Sequence, residues 1–137
     1  MTHAVEEEAD QPPHILLVDD DGVLRAMARS LLEKNGFRVT EAKDGAHAIE
    51  RIEGDRQFDL MVLDLNMPRL SGRDVLRKVR GSVSTAGLPV IVLTGSGGGD
   101  LEIKLMAEGA DDYIHKPLEP QRFVARVKAA LRRAAAH

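Results

Sequence analysis

The sequence predicts an α/β fold, a doubly wound domain in which five helices cover both faces of a five-stranded parallel sheet. Three observations predict it. Five short runs rich in branched aliphatic residues recur at intervals of about 20 to 30 residues, the spacing of βα units. The stretches between them carry a helical period. The first, third and fourth runs are apolar throughout, as strands covered on both faces must be. At 137 residues, 43% of them hydrophobic and 30% charged, the chain is long enough to close one core that buries about two thirds of its unfolded surface. The repeated β-α order then calls for right-handed crossovers.

Residues 1–13 carry Glu6, Glu7, Glu8 and Asp10, no Lys or Arg, and end in Pro12 and Pro13. Such a composition reads as an acidic, flexible, solvated tail, without the basic start or apolar middle of a signal peptide. The domain is read as residues 14–137. Its first strand is Ile15 to Val18. A helix follows from about Gly22 to Asn35, with Leu24, Met27 and Leu31 on its inner face and Asn35-Gly36 as its stop. Phe37 to Thr40 alternates apolar with polar and belongs at a sheet edge. The second helix follows Asp44-Gly45, ends near Gly54 and carries Ala48, Ile49 and Ile52. Leu60 to Leu63 is the third strand. Ser71 caps the third helix, with Asp74 near its positive end and Val75, Leu76 and Val79 as its inner face. Val90 to Leu93 is the fourth strand, and a helix between Asp100 and Glu108 is closed by Gly109. After the short strand Tyr113 to Ile114, the last helix starts at Glu119-Pro120 and buries Phe123, Val127 and Leu131.

The absence of Cys removes disulfides, thiolate metal sites and cysteine nucleophiles, and it suits a reducing compartment. Apolar runs stop far short of the roughly 20 residues a membrane span needs, so the expectation is a cytoplasmic domain with no membrane contact. The last helix is basic through Arg122, Arg126, Lys128, Arg132 and Arg133. There is neither a basic excess over the whole domain, whose chain totals −3, nor an aromatic-interleaved stripe, so direct nucleic-acid binding is not expected.

In an open parallel sheet the site lies beyond the carboxyl ends of the strands. Asp19, Asp20 and Asp21 follow Val18, Asp64 follows Leu63, Thr94 follows Leu93, and His115 and Lys116 follow Ile114. Carboxylates converging on one edge repel one another unless a cation neutralises them. Oxygen ligands without His or Cys favour a hard ion such as Mg2+, which makes Asp19, Asp20 and Asp64 a candidate metal site, with Asp21 more plausibly a helix cap. Lys116, fixed by Pro117 in a turn that can take a cis peptide, adds an aimed ammonium. Together with the Thr94 hydroxyl it makes a receptor for a phosphoryl group, and a carboxylate can itself be the nucleophile that takes one. The run Gly95-Ser96-Gly97-Gly98-Gly99 lacks the spacing and the Lys-Ser/Thr pair of a phosphate loop and reads as a mobile loop. His115 alternates with Lys116 and should point away from the site.

Taken in order and spacing, ILLVDDD (15–21), VLDLNMPRLSG (62–72), VIVLTG (90–95) and ADDYIHKP (110–117) resemble the signature blocks of the receiver domain of two-component response regulators, over about residues 14–134. The resemblance implies a flavodoxin-like sheet of order 2-1-3-4-5 and a signalling domain, not a turnover enzyme, although one that assists its own phosphorylation and dephosphorylation. It implies Asp64 as the acceptor of a phosphoryl group from a sensor histidine kinase or histidine phosphotransfer protein. Asp20, Asp64 and the carbonyl of Asn66 would hold Mg2+, with Asp19 acting through a bound water. Thr94 and Lys116 would contact the phosphoryl group, and Tyr113 would be the aromatic switch that turns inward as Thr94 moves. The signalling surface would be the face near Leu101 to Ile114 and the basic helix from Arg122, turned towards a downstream protein target or output domain; a homodimer is compatible with it. Gly95 and Leu118 depart from common family residues, and Asn66 and Ser96 occupy positions that tune phosphate lifetime.

Two other classes are weighed. A phosphohydrolase with an aspartyl nucleophile on a similar sheet needs a general acid two residues after it, where this chain has Asn66. A flavodoxin-like cofactor binder needs phosphate donors in its first loop, where Asp19, Asp20 and Asp21 would repel the anion. If the resemblance holds, 137 residues are expected to leave little room for an output module, and whether the chain is a stand-alone regulator or a receiver taken from a longer protein stays open.

Overall fold

The computed structural model describes residues 11–54, 57–95 and 98–136. The acidic residues of the expected tail, and Ser96 and Gly97 of the glycine run, lie outside the described residues. In chain order the elements are β1 (His14–Val18), α1 (Gly22–Lys34), β2 (Arg38–Ala42), α2 (Gly45–Glu53), β3 (Leu60–Asp64), α3 (Gly72–Gly81), β4 (Val90–Thr94), α4 (Gly99–Ala107), β5 (Asp112–His115) and α5 (Pro120–Ala135). The strands pair in parallel in the order β2-β1-β3-β4-β5, so the fold class and strand order are those expected, and the alternating second run is an edge strand. The order reverses between β1 and β3, which opens a crevice at the carboxyl ends of those two strands.

Strand periodicity divides the core in two. Ile15, Leu17, Leu60, Val62, Ile91, Leu93 and Ile114 pack against Ala28 and Leu32 of α1 and Phe123 and Val127 of α5. Their neighbours Leu16, Val18, Met61, Leu63, Val90 and Val92 pack against Ala48 of α2, Val75, Leu76 and Val79 of α3, and Leu105 of α4. The inner face of α1 differs from expectation. Ala28 and Leu32 are fully buried, Leu24 and Leu31 pack at the margin, and Met27 is 43% exposed. Met27 lies one residue, about 100° of helical turn, from Ala28, and the small Ala28 is the residue that lets the helix lie close on the sheet.

Helix ends follow local chemistry. Ser71 accepts from the Asp74 backbone N–H while the Asp74 carboxylate accepts from the Ser71 N–H, a complete capping box on α3. Helix α4 starts at Gly99, one residue before the expected Asp100, with Gly98 at the cap position and no side-chain bond there. Gly109, at φ +107°, ends the turn after it in the left-handed region.

Candidate functional site

The register brings the site together. Val18 pairs with Leu63, Asp64 with Leu93, and Thr94 with His115, so the residues that end or follow four adjacent strands meet on one rim. Asp19, Asp20 and Asp64 each offer a carboxylate oxygen, and these oxygens lie within 4.8 Å of one another. Lys116 reaches in from beyond β5: its Nζ is 3.0 Å from Asp64 Oδ1 and 3.2 Å from Asp19 Oδ2. The Lys116-Pro117 peptide that positions it is cis.

Burial sets the electrostatics. Asp19 is fully buried and Asp64 nearly so, whereas Asp20 is exposed. Asp19 Oδ1 accepts from the Asp21 N–H at 2.9 Å. Its other oxygen, Oδ2, has the Lys116 ammonium at 3.2 Å as its one close partner, which leaves acceptor capacity that a buried carboxylate normally fills. Desolvation pushes the Asp64 carboxyl up to about 6; the Lys116 hydrogen bond pulls the other way, and the neighbouring Asp19 charge and Asp20 add to the rise. Burial by itself would lower Lys116, but its hydrogen bond to Asp64 and the charges of Asp19 and Asp64 outweigh burial and hold it above the ordinary lysine value. With three carboxylates facing one ammonium, the cluster is two positive charges short of balance. Hard oxygen donors, one of them with acceptor capacity to spare, fit a divalent cation.

Other predicted residues separate by face. Thr94 is 1% exposed at the end of β4. Asn66 is exposed in the loop after β3. Asp21 caps α1 by accepting from the Val23 and Leu24 N–H groups and stands outside the carboxylate cluster. His115 does turn away from Lys116 and meets Glu102 of α4, which also accepts the Tyr113 hydroxyl. Three supporting residues escaped the sequence reading. Arg25 of α1 donates to the Asp19 carbonyl at 2.7 Å and to Glu41 at 2.6 Å, pinning the β1 end. Gly72 packs so tightly that a Cβ there would lie 2.3 Å from the Asp64 carbonyl oxygen; its signals were its place directly after a strong cap residue and at the end of the 62–72 block. Glu102 lies on a helix that carries no motif.

Comparison with known proteins places these features in a wider set. Residues 15–128 match the family described as response regulator receiver domain. Protein PetR of Rhodobacter capsulatus is 41% identical over 122 residues, covering 89% of this chain and 50% of the relative. Transcriptional regulatory protein CpxR of Escherichia coli K12 is 44% identical over 120 residues, 87% of this chain and 49% of the relative. The chain thus spans about half the length of these relatives. Among solved structures, a CheY-like response regulator receiver domain protein from Methanospirillum hungatei superposes with a TM-score of 0.84 at 27% identity, covering 91% of this chain and 98% of the other. A receiver domain protein from Clostridium thermocellum gives 0.82 at 32%, covering 90% and 98%.

Proposed function

Because the chain belongs to the response regulator receiver domain family, we propose that Asp64 is the phosphoacceptor of a two-component signalling switch. The observation that carries this is the Asp64 carboxylate, buried at the end of β3 and held 3.0 Å from Lys116 inside the Asp19 and Asp20 cluster. An Asp64 oxygen attacks phosphorus while the bond from phosphorus to the donor's leaving atom, a histidine ring nitrogen in a sensor kinase or phosphotransfer protein, breaks. Lys116 pairs with a phosphoryl oxygen in this reading, and Thr94 donates its hydroxyl to another. With the raised pKa of about 6, Asp64 is mostly ionised at neutral pH and retains basicity as a nucleophile.

Asp19, Asp20 and Asp64, with the Asn66 carbonyl, are the residues that would hold Mg2+, which suits their oxygen chemistry and the spare acceptor capacity of Asp19 Oδ2. When bound, the ion supplies charge neutralisation for the phosphoryl oxygens. Thr94 and Tyr113 share one face of the sheet, through the pairing of Val92 with Tyr113 and Thr94 with His115. We assign them as the switch that reports phosphorylation to the surface formed by α4, β5 and α5. The consumer of that signal is a downstream protein or an output domain, and transfer changes its affinity by shifting the population of two states.

The test is labelling by a phosphohistidine donor or by acetyl phosphate in the presence of Mg2+. Wild-type protein is expected to label, and both Asp64→Asn and removal of divalent cations with a chelator are expected to abolish it. Undiminished labelling of the Asn variant would overturn the assignment.

A further inference from the structure

Tyr113 is the only tyrosine in a chain with no tryptophan, and its hydroxyl is engaged on the α4 side of the sheet. It donates to Glu102 Oε2 at 2.6 Å. The second oxygen of the same carboxylate lies 3.0 Å from His115 Nε2, and the Tyr113 and His115 rings meet edge to face with centroids 5.8 Å apart. One carboxylate from α4 therefore ties together two alternate residues of β5. The neighbouring charges are already committed elsewhere: Asp112 is bound to Arg126 of α5 at 2.8 Å, and Lys116 faces Asp64 and Asp19. Nothing else charged on β5 competes for Glu102 among the described contacts.

Glu102 is near the amino end of α4, so its charge also suits the helix dipole. The dipole alone would let the side chain roam. Instead the carboxylate is held by two donors, and its own acidity is strengthened, first by the Tyr113 hydrogen bond and then by that of His115. A phenol bound to a carboxylate makes one of the stronger hydrogen bonds available, and a movement of the ring away from Glu102 would break it.

We propose that Glu102 is a positioning residue for the switch: it anchors the Tyr113 hydroxyl against α4, with His115 bracing the carboxylate, and so sets the resting population that the phosphoryl group must displace. The proposal rests on the assignment of Thr94 and Tyr113 as the switch made above. Release of the anchor favours the phosphoryl-bound arrangement without touching Asp64, Lys116 or the carboxylate cluster, because the partners of Glu102 are Tyr113 and His115.

Two readouts on the full chain test it. Spectrophotometric titration of the single phenol reports the anchor directly. Wild-type Tyr113 ionises above the ordinary tyrosine range because of its bond to Glu102, and Glu102→Ala is expected to move the midpoint to lower pH. Calorimetric titration with beryllofluoride and Mg2+, a phosphoryl mimic, reports the switch. Glu102→Ala is expected to bind about threefold to tenfold more tightly than wild type, the effect of losing one hydrogen bond that opposes the transition, and Glu102→Gln to fall between. In a Tyr113→Phe background the Glu102→Ala gain should vanish. An unmoved phenol titration, unchanged mimic affinity, or the same gain in the Phe background would each overturn the role of Glu102. Failure of wild-type protein to bind the mimic would instead overturn the phosphoacceptor reading, while the phenol titration still reports whether the anchor forms.

Discussion

Asp64 is held under opposing demands: burial and two neighbouring carboxylates disfavour its charge, and Lys116 favours it. The balance has a thermodynamic signature. Its folded-state pKa of about 6 exceeds the ordinary 3.8, so between those values the folded chain keeps a proton that the unfolded chain has lost. Stability therefore falls as pH rises through that window and stays lowered above it. Asp64→Asn removes the penalty, and the metal-free variant is expected to exceed wild type by on the order of 1 to 2 kcal/mol at pH 7.5, with the difference fading by pH 4. Urea unfolding at the two pH values checks this; equal stability at pH 7.5 would contradict it. Mg2+ reverses the comparison: it should raise the melting temperature of wild type and do so more at pH 8 than at pH 5, where protons compete for the same oxygens. The variant should respond little. The acidic triplet after Val18 and the single Asp after Leu63 were legible as a site because turns rarely ask for ionised groups at three strand ends. Glu102 was not, because a carboxylate in a first helical turn has a local explanation.

The elements place those residues, and α3 shows how. The Ser71 and Asp74 capping box fixes the start of the helix, and Gly72, the first residue inside it, lies against the backbone at the end of β3. Ser71→Ala is expected to cost about 1 kcal/mol by the loss of a cap. Gly72→Ala is expected to cost about 1 to 3 kcal/mol, because its Cβ meets a backbone oxygen that cannot swing away. It should also slow labelling of Asp64, since the oxygen it displaces belongs to that residue; chemical unfolding and labelling rate measure the two effects separately. Ser71 and its buried Val75, Leu76 and Val79 were readable from capping chemistry and helical period. The close approach at Gly72 was not, since it depends on a strand that arrives from elsewhere in the sequence. The same holds for α1, where period alone favoured Met27 but the distance to the sheet favoured Ala28.

At the scale of the molecule, two apolar layers sandwich one sheet, and the buried polar side chains Asp64 and Thr94 stand where β3 and β4 end. Phe123 is the largest wholly buried side chain of the layer under α1 and α5. Phe123→Ala is expected to cost about 3 to 5 kcal/mol in a single cooperative urea transition; a loss under 1 kcal/mol would mean that α5 is not integral to the core. Fold class and strand order were legible because patterning, stops and strand-end chemistry agreed along the whole chain, whereas the pairing of Glu102 with Tyr113 across α4 and β5 is set by packing that no single segment encodes. All of this converges on one carboxylate. The most direct measurement is to label the protein with acetyl phosphate and Mg2+, digest it at acid pH, and locate the phosphoryl group by mass spectrometry. The phosphoryl group is expected on Asp64; a phosphoryl group on any other residue, with Asp64 unmodified, would contradict the phosphoacceptor assignment.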